Sequence, residues 1–441
     1  MDSTSEQSRA VSIPAYVRLL RANRNFRRLW SAQIVSEIGD WFYSLAIYSL
    51  LLQLTGRPSS VALALILQVL PQTLVGPTAG VVNDRIRRKQ VMIAADLARM
   101  LIVFCMIFVR TRSMVWLVYP LLLLETIMAA FFEPARNSVI PNIVTRDDLI
   151  VANTLSATTW SLNLAIGATL GGVVAALLGR DAVFVINALS FLASALLISG
   201  MRFVEPHAEH AEPLHARELV NFSPIWDGVR YISSDLRLLV TVFLKSGIGF
   251  LGAGWVYFTV MGEKVFPITT AGMSAQRGAV LSMSLLWGSR GVGALLGPLF
   301  SASWAGRRER RLRIGVLIGY LMGAIGYLAL GGAPSLWLAC ALVIFAHAGT
   351  STVWVFSSTL LQLNTDDRFR GRVFAADFGL CMLVIAIAGY VAGVLLDAGV
   401  SVRVLASATG ACMIIPFVIW AFALRLWKAE PRTVAVSQKQ N

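Results

Sequence analysis

The chain of 441 residues is 56% hydrophobic and only 14% charged, with a mean hydropathy of +0.69. Soluble globular proteins carry roughly 25% charged residues, so a soluble enzyme is excluded, and continuous apolar runs without period-two alternation exclude a transmembrane β-barrel. The net charge of +14 sits in short basic clusters beside apolar runs, which suits an anionic membrane surface and not a nucleic acid.

A helix needs about 20 mostly apolar residues to cross a hydrocarbon core of roughly 30 Å. On that measure the chain reads as an all-α membrane protein of twelve transmembrane helices. A cytoplasmic N-terminal segment covers residues 1–27. Its first 13 residues are polar and lead into an apolar run too long for a cleavable signal peptide, so none is expected. Six spans follow near 28–54, 60–83, 90–110, 114–135, 149–178 and 181–201, and form an N-terminal six-helix bundle over 28–202. A polar cytoplasmic linker, 203–236, separates them from six more, near 237–262, 277–304, 312–331, 335–362, 373–397 and 402–424. These make a C-terminal bundle over 237–427, followed by a cytoplasmic tail, 428–441.

The basic residues test that count. Of 38 Lys and Arg, 28 fall in the termini and the even-to-odd loops, seven in the other loops, and Arg99, Lys245 and Arg290 within spans. This is the positive-inside pattern with both termini cytoplasmic. The linker holds Glu205, His207, Glu209, His210, Glu212 and His215 at short spacing. A metal site is one reading of that stretch, and a solvated acidic linker is the favoured one. Cys105, Cys340, Cys381 and Cys412 lie far apart in apolar runs and are expected to be packing residues.

Shifting the second half back by about half the chain aligns Gly76-Pro77 with Gly297-Pro298. The basic loop Asp84–Lys89 then aligns with Arg307–Arg311, and the polar turn Thr145–Asp148 with Asn364–Arg368. Two pseudo-symmetric six-helix bundles are therefore expected. Transporters are often built this way, with a substrate site near the midplane between the halves.

In the turn between the second and third spans, Gly80, Asp84, Arg85, Arg88 and Lys89 form a compact charged motif. A Gly permits close helix approach, and an Asp at a helix end can accept from the free N–H groups of a facing helix. The motif reads as a latch that forms when the cytoplasmic side closes. The sequence here resembles the major facilitator superfamily, whose signature in this turn is a Gly, then Asp-Arg and a basic run. It departs from that signature at Arg87 and Gln90. Further phrases resemble the branch of enterobactin exporters and macrolide-efflux proteins: Asn25–Trp30, Ser36–Trp41, Phe131–Arg136 with Pro141, Ala152-Asn153 and Gly371–Val373. The resemblance spans roughly residues 15–428 and implies the major facilitator fold and export. Antiporters of that superfamily carry a Gly-Pro-x-x-Gly-Gly pattern in helix 5. This chain has Gly167, Gly171 and Gly172 with Ala168 in place of Pro, which also fits a plain small-residue interface.

Charge within a span is costly and marks functional candidates. Glu37 and Asp40 lie one turn apart on the first span, Glu125 in the fourth, Lys245 in the seventh, Arg290 in the eighth and His347 in the tenth. Carboxylates facing a dehydrated cavity can load and release protons or attract a cationic substrate, with Asp40 the leading candidate. Lys245 and Arg290 can partner those acids or an anionic substrate, or snorkel to an interface. His347 can relay protons or simply pack. Glu133 and Arg136 read as a structural pair, and Trp41, Phe42 and Tyr43 as cavity lining or interface anchors.

The expected function is secondary active transport, by proton-coupled export of a small amphipathic compound (a drug, siderophore or metabolite) in the manner of an antiporter. The alternatives are an uptake symporter, a lipid flippase or a non-transport membrane protein. No His-box, nucleophile elbow or phosphate-binding Gly-rich loop is present, so neither an enzyme nor an ATP-driven pump is expected. No cofactor, no metal and no nucleic-acid partner are expected. The expected energy source is the proton gradient, the partners a small molecule and the lipid bilayer, and the location a bacterial-type inner membrane with a monomeric chain.

Overall fold

The structure is a computed structural model and describes residues 13–145, 148–205, 223–269, 273–305, 308–365 and 367–426. His207, Glu209, His210, Glu212 and His215 lie outside the described residues, as do residues 428–441 of the tail.

The helices are α1 (Ile13–Ala22), α2 (Arg24–Thr55), α3 (Pro58–Arg85), α4 (Arg88–Cys105), α5 (Val118–Ile143), α6 (Leu149–Leu178) and α7 (Arg180–Ser199). They continue with α8 (Ser223–Ser234), α9 (Leu236–Ser246), α10 (Gly252–Val260), α11 (Ala275–Ala305), α12 (Glu309–Gly331), α13 (Leu336–Asn364), α14 (Asp367–Asp397) and α15 (Val402–Leu426). Among the described residues eleven helical segments are long and apolar enough to cross a membrane. The remaining expected span, the first, is α2, which has 32 residues but carries Gln33, Glu37 and Asp40 on its inner length. Its polarity reflects the site it holds. Around the outside, Leu101, Leu189, Leu196, Ile415 and Phe422 are exposed, which suits a hydrocarbon solvent in which each helix already satisfies its own backbone.

Capping sets several boundaries. The Asn23 side chain accepts from the Phe26 N–H at the start of α2, and Gly56, with φ of 67°, closes its end. A left-handed residue at that position satisfies late carbonyls at little steric cost. Two spans differ from the sequence reading. The fourth, expected to stop at 135, runs to Ile143 through Pro134 and Pro141. Glu133 and Arg136 do not end it, because both are engaged in an internal ion-pair group. The seventh, expected as one helix, is α9 and α10 joined by a 3₁₀ turn at Gly247–Leu251 and closed by a π turn at Met261–Val265. Gly249 and Gly252 press there on Val384 and Ile385 of α14, leaving no room for a Cβ.

Packing gathers the helices into two sets. Helix α2 packs on α6 and α7, and α4 on α5 and α7, while α12 packs on α13 and α15, and α11 on α13. The two sets meet chiefly along α6 with α11 and α3 with α14. In the first seam a Cβ on Gly172 would run into the Ser284 side chain, and one on Gly291 would lie 2.8 Å from the Ala165 Cβ. In the second, a Cβ on Gly393 would press on Ala62, and one on Gly379 would lie 3.0 Å from the Thr73 side chain. Nearer the basic loop, a Cβ on Gly76 or Gly80 would meet no described residue within 4 Å. Gly80 therefore does not make the close helix approach expected of it. The repeat partner of Gly76 behaves differently, since Gly297 packs tightly on Ala348 and Ser351 of α13.

Candidate functional site

Three buried charge groups and one aromatic cluster occupy the interior. The first is centred on Arg99 of α4, whose side chain is only 6% exposed. Its guanidinium donates to Asp40 Oδ2 of α2 at 2.8 Å and to Glu125 Oε1 of α5 at 2.8 Å. Asp96, one turn earlier on α4, is 3.8 Å away and fully buried, and the Phe191 ring lies 4.0 Å from the guanidinium carbon. One cation thus ties three helices together and faces three carboxylates. Asp40 is the accessible member, with 32% of its side chain exposed, and its Oδ1 has no hydrogen-bond partner among the described residues. The sequence reading flagged Asp40 and Glu125, and the fold brings them onto the same guanidinium.

Glu37, one turn from Asp40, belongs to a second group. Its carboxylate accepts from Arg136 at 3.0 Å, from Asn163 of α6 at 2.8 Å and from Gln33 at 2.8 Å. Arg136 also pairs with Glu133 at 2.8 Å, as expected, so that pair is part of a wider network. In the second half, Lys245 of α9 pairs closely with Asp377 of α14, donates to Ser358 at 3.0 Å and lies 4.4 Å from the Trp354 ring centroid. Lys245 is therefore not a partner of the first-half acids, and its burial excludes snorkelling. Asp96, Arg99 and Asp377 were passed over as site residues. The signal was available, since each lies inside an apolar run and the cost of charge applies to all alike.

Between the halves lies the aromatic cluster. The Trp41 ring sits 6.0, 6.4 and 6.2 Å from those of Trp160, Trp255 and Trp287, and Tyr48 and Phe258 flank Trp287. Trp41 is thus a junction of α2, α6, α10 and α11, while Phe42 and Tyr43 are buried inside the first half. Arg290 stacks on this cluster, 4.5 Å from the Trp255 centroid and 5.1 Å from that of Trp287. It contacts neither Asp40 nor Glu125, whose cation is Arg99. His347 is buried and shares a 2.6 Å hydrogen bond with the Tyr327 hydroxyl.

The helix-5 glycines face two ways. Gly167 and Gly171 seat α6 on Trp41 and Phe42 of α2, whereas Gly172 meets α11 across the seam. Of the latch residues, Asp84, Arg88 and Lys89 make contacts within the first half. Asp84 is 74% exposed and pairs with Arg88 at 3.5 Å. Arg88 donates to the Asn83 and Ser138 carbonyls, and Lys89 to the Met201 carbonyl at 2.8 Å. Among the described residues no group of three or more His, Cys, Asp or Glu is placed to hold a metal.

This geometry has known relatives. Macrolide efflux protein A of Streptococcus pyogenes is 24% identical over 368 residues, covering 82% of this chain and 87% of that one. The uncharacterized MFS-type transporter YfiS of Bacillus subtilis (strain 168) is 29% identical over 181 residues, 41% of this chain, which spans only 43% of that relative's length. A crystal structure of a POT family transporter in complex with a thioalcohol-conjugated peptide superposes with a TM-score of 0.73 at 11% identity, over 92% of this chain and 97% of that one, a likeness of fold alone. The Major Facilitator Superfamily model matches residues 29–388, so this chain belongs to that superfamily.

Proposed function

We propose that the protein exports a small amphipathic compound in exchange for protons, with the Arg99 group as the proton-coupling site. The observation that carries this reading is one guanidinium shared by Asp40 and Glu125 with Asp96 behind it. Three carboxylates on one cation leave a surplus of negative charge in an apolar interior, and a proton relieves it. Asp40 Oδ1, unpartnered on the most accessible of the three acids, is the atom that receives it. Protonation weakens the hold of Arg99 on α2, and Trp41, the next residue, sits at the junction of the halves. A change at Asp40 thereby reaches the surface along which the halves move. Export is supported by the macrolide-efflux relative.

The basic loops support an orientation with both termini in the cytoplasm. The open space beside Gly76 and Gly80 near the basic loop supports reading this conformation as open inward, parted at the basic end. Closure brings the basic ends of α3 and α14 together. Their antiparallel register, from Ala62 with Gly393 to Thr73 with Gly379, runs on to bring Asp84 level with the first turn of α14. A helix start offers free N–H groups, and Asp84 is the acid placed to accept from them. In this reading the latch is disengaged here and forms when the pump turns outward.

The test is Asp40→Asn in proteoliposomes. The variant is expected to fold, to keep the Arg99–Glu125 contact and to lose efflux driven by a pH gradient. Normal gradient-driven efflux by that variant would sink the role of Asp40. Flux measured in everted and right-side-out vesicles separates export from uptake.

A further inference from the structure

Arg290, inside an apolar helix, has no anion beside it among the described residues. Arg99, Arg136 and Lys245 each hold at least one carboxylate within 3.0 Å. Among the described residues Arg290 makes no ion pair and no hydrogen bond. Its neighbours are the faces of Trp255 and Trp287, and the ionisable groups within its electrostatic reach are Tyr48, Tyr257, Tyr327 and His347. None is a carboxylate. Two of these are already engaged with each other, Tyr327 with His347, and Tyr48 bonds Gln68.

The donors around it are also in surplus. The indole N–H groups of Trp255 and Trp287 are buried and have no acceptor among the described residues. An unsatisfied buried donor is costly, and a guanidinium held from water without a partner costs more. Stacking on two indoles offsets part of that cost, but it supplies no acceptor. Arg290 remains partly accessible at the seam between the halves, so the missing acceptor can come from outside the chain. The surrounding surface specifies the rest of such a ligand. Trp41 and Trp160 are accessible in part and meet edge to face, which favours a flat apolar body beside the charge.

We propose that Arg290 and its indole neighbours form the anion-binding part of the cargo site, and that the cargo is a small organic carboxylate with a planar apolar body. The proposal rests on the transport reading above and names the chemical class it leaves open. The guanidinium takes the carboxylate as a two-pronged donor. The indole rings hold the guanidinium from behind and cover the cargo's apolar part. Asp40 lies beyond Trp41 and stays committed to Arg99, so the anion site and the proton site are adjacent and chemically separate.

The experiment uses the full chain in nanodiscs of zwitterionic lipid, with 2-naphthoate and its neutral analogue 2-naphthamide as probes, and binding read by calorimetry and by tryptophan fluorescence. The unaltered protein is expected to bind naphthoate at least about ten-fold tighter than naphthamide, as a charge-assisted hydrogen bond implies. Arg290→Gln should erase that preference by weakening naphthoate alone, and Arg290→Lys should restore part of it. No naphthoate binding, equal affinity for the two probes, or undiminished naphthoate preference in Arg290→Gln overturns the proposal. The two-probe comparison on the unaltered chain decides the matter even if the variants do not fold. The outcomes also part from those of the export reading. Carboxylate-selective binding without proton-driven flux refutes proton-coupled export and leaves the anion site standing. Proton-driven flux of a known efflux substrate without carboxylate selectivity does the reverse.

Discussion

Replacing Arg99 by Gln removes one cation and strands three acids at once. Asp96 is fully buried, Glu125 9% exposed and Asp40 32% exposed at the side chain, so two of the three have almost no access to water. Breaking a buried ion pair by deleting one partner costs about 3–5 kcal/mol. Arg99 also links α2, α4 and α5, so its loss should appear as lower stability of the whole first half. Arg99→Lys keeps the charge, but an ammonium lacks the fork that reaches Asp40 and Glu125 together, and an intermediate loss is expected. Adding Glu125→Gln to Arg99→Gln should recover part of the loss, because one stranded charge is gone. The assay is thermal and denaturant unfolding of detergent-purified protein at pH 8, followed by tryptophan fluorescence. A loss below about 1 kcal/mol in Arg99→Gln, the range of an exposed ion pair, would refute the view of Arg99 as the buried hub of the first half.

Two further outcomes follow from the packing. Lys245→Met alone strands Asp377 and should destabilise by about 3–5 kcal/mol, whereas Lys245→Met with Asp377→Leu should be near neutral or stabilising; equal melting of the single and double variants counts against a buried pair. Gly172→Leu forces a side chain into Ser284 and should cost about 1–3 kcal/mol of stability. Gly80→Leu enters open space, so its melting should match the parent while its flux falls, because closure needs that space; unimpaired transport by Gly80→Leu would show that α3 and its neighbours do not close there.

Much of this architecture was legible in the sequence. Helices in a bilayer satisfy their own hydrogen bonds, so apolar length marks eleven of the spans among the described residues, while α2 is more polar because it carries Gln33, Glu37 and Asp40. Glu37, Asp40, Glu125, Lys245, Arg290 and His347 stood out because charge and imidazole in an apolar run are costly wherever they fall. The same composition rule concealed a boundary, since Glu133, Pro134 and Arg136 imitate a helix end. The break in the seventh span was equally invisible, as it depends on α14 pressing on Gly249 and Gly252.

Pairing was beyond the sequence altogether. Whether Arg99 or Arg290 meets Asp40 depends on how helices distant in sequence are rotated against one another, and a span's composition does not record its rotation. Only the tertiary structure gave Arg99 three acids, gave Lys245 to Asp377 and set Arg290 on two tryptophans with no counter-charge among the described residues. The sequence by itself determined an all-α membrane protein and the residues for which a membrane interior is costly. The packed structure decided which of them meet an opposite charge among the described residues, because a buried charge takes its meaning from the atoms within a few ångströms of it.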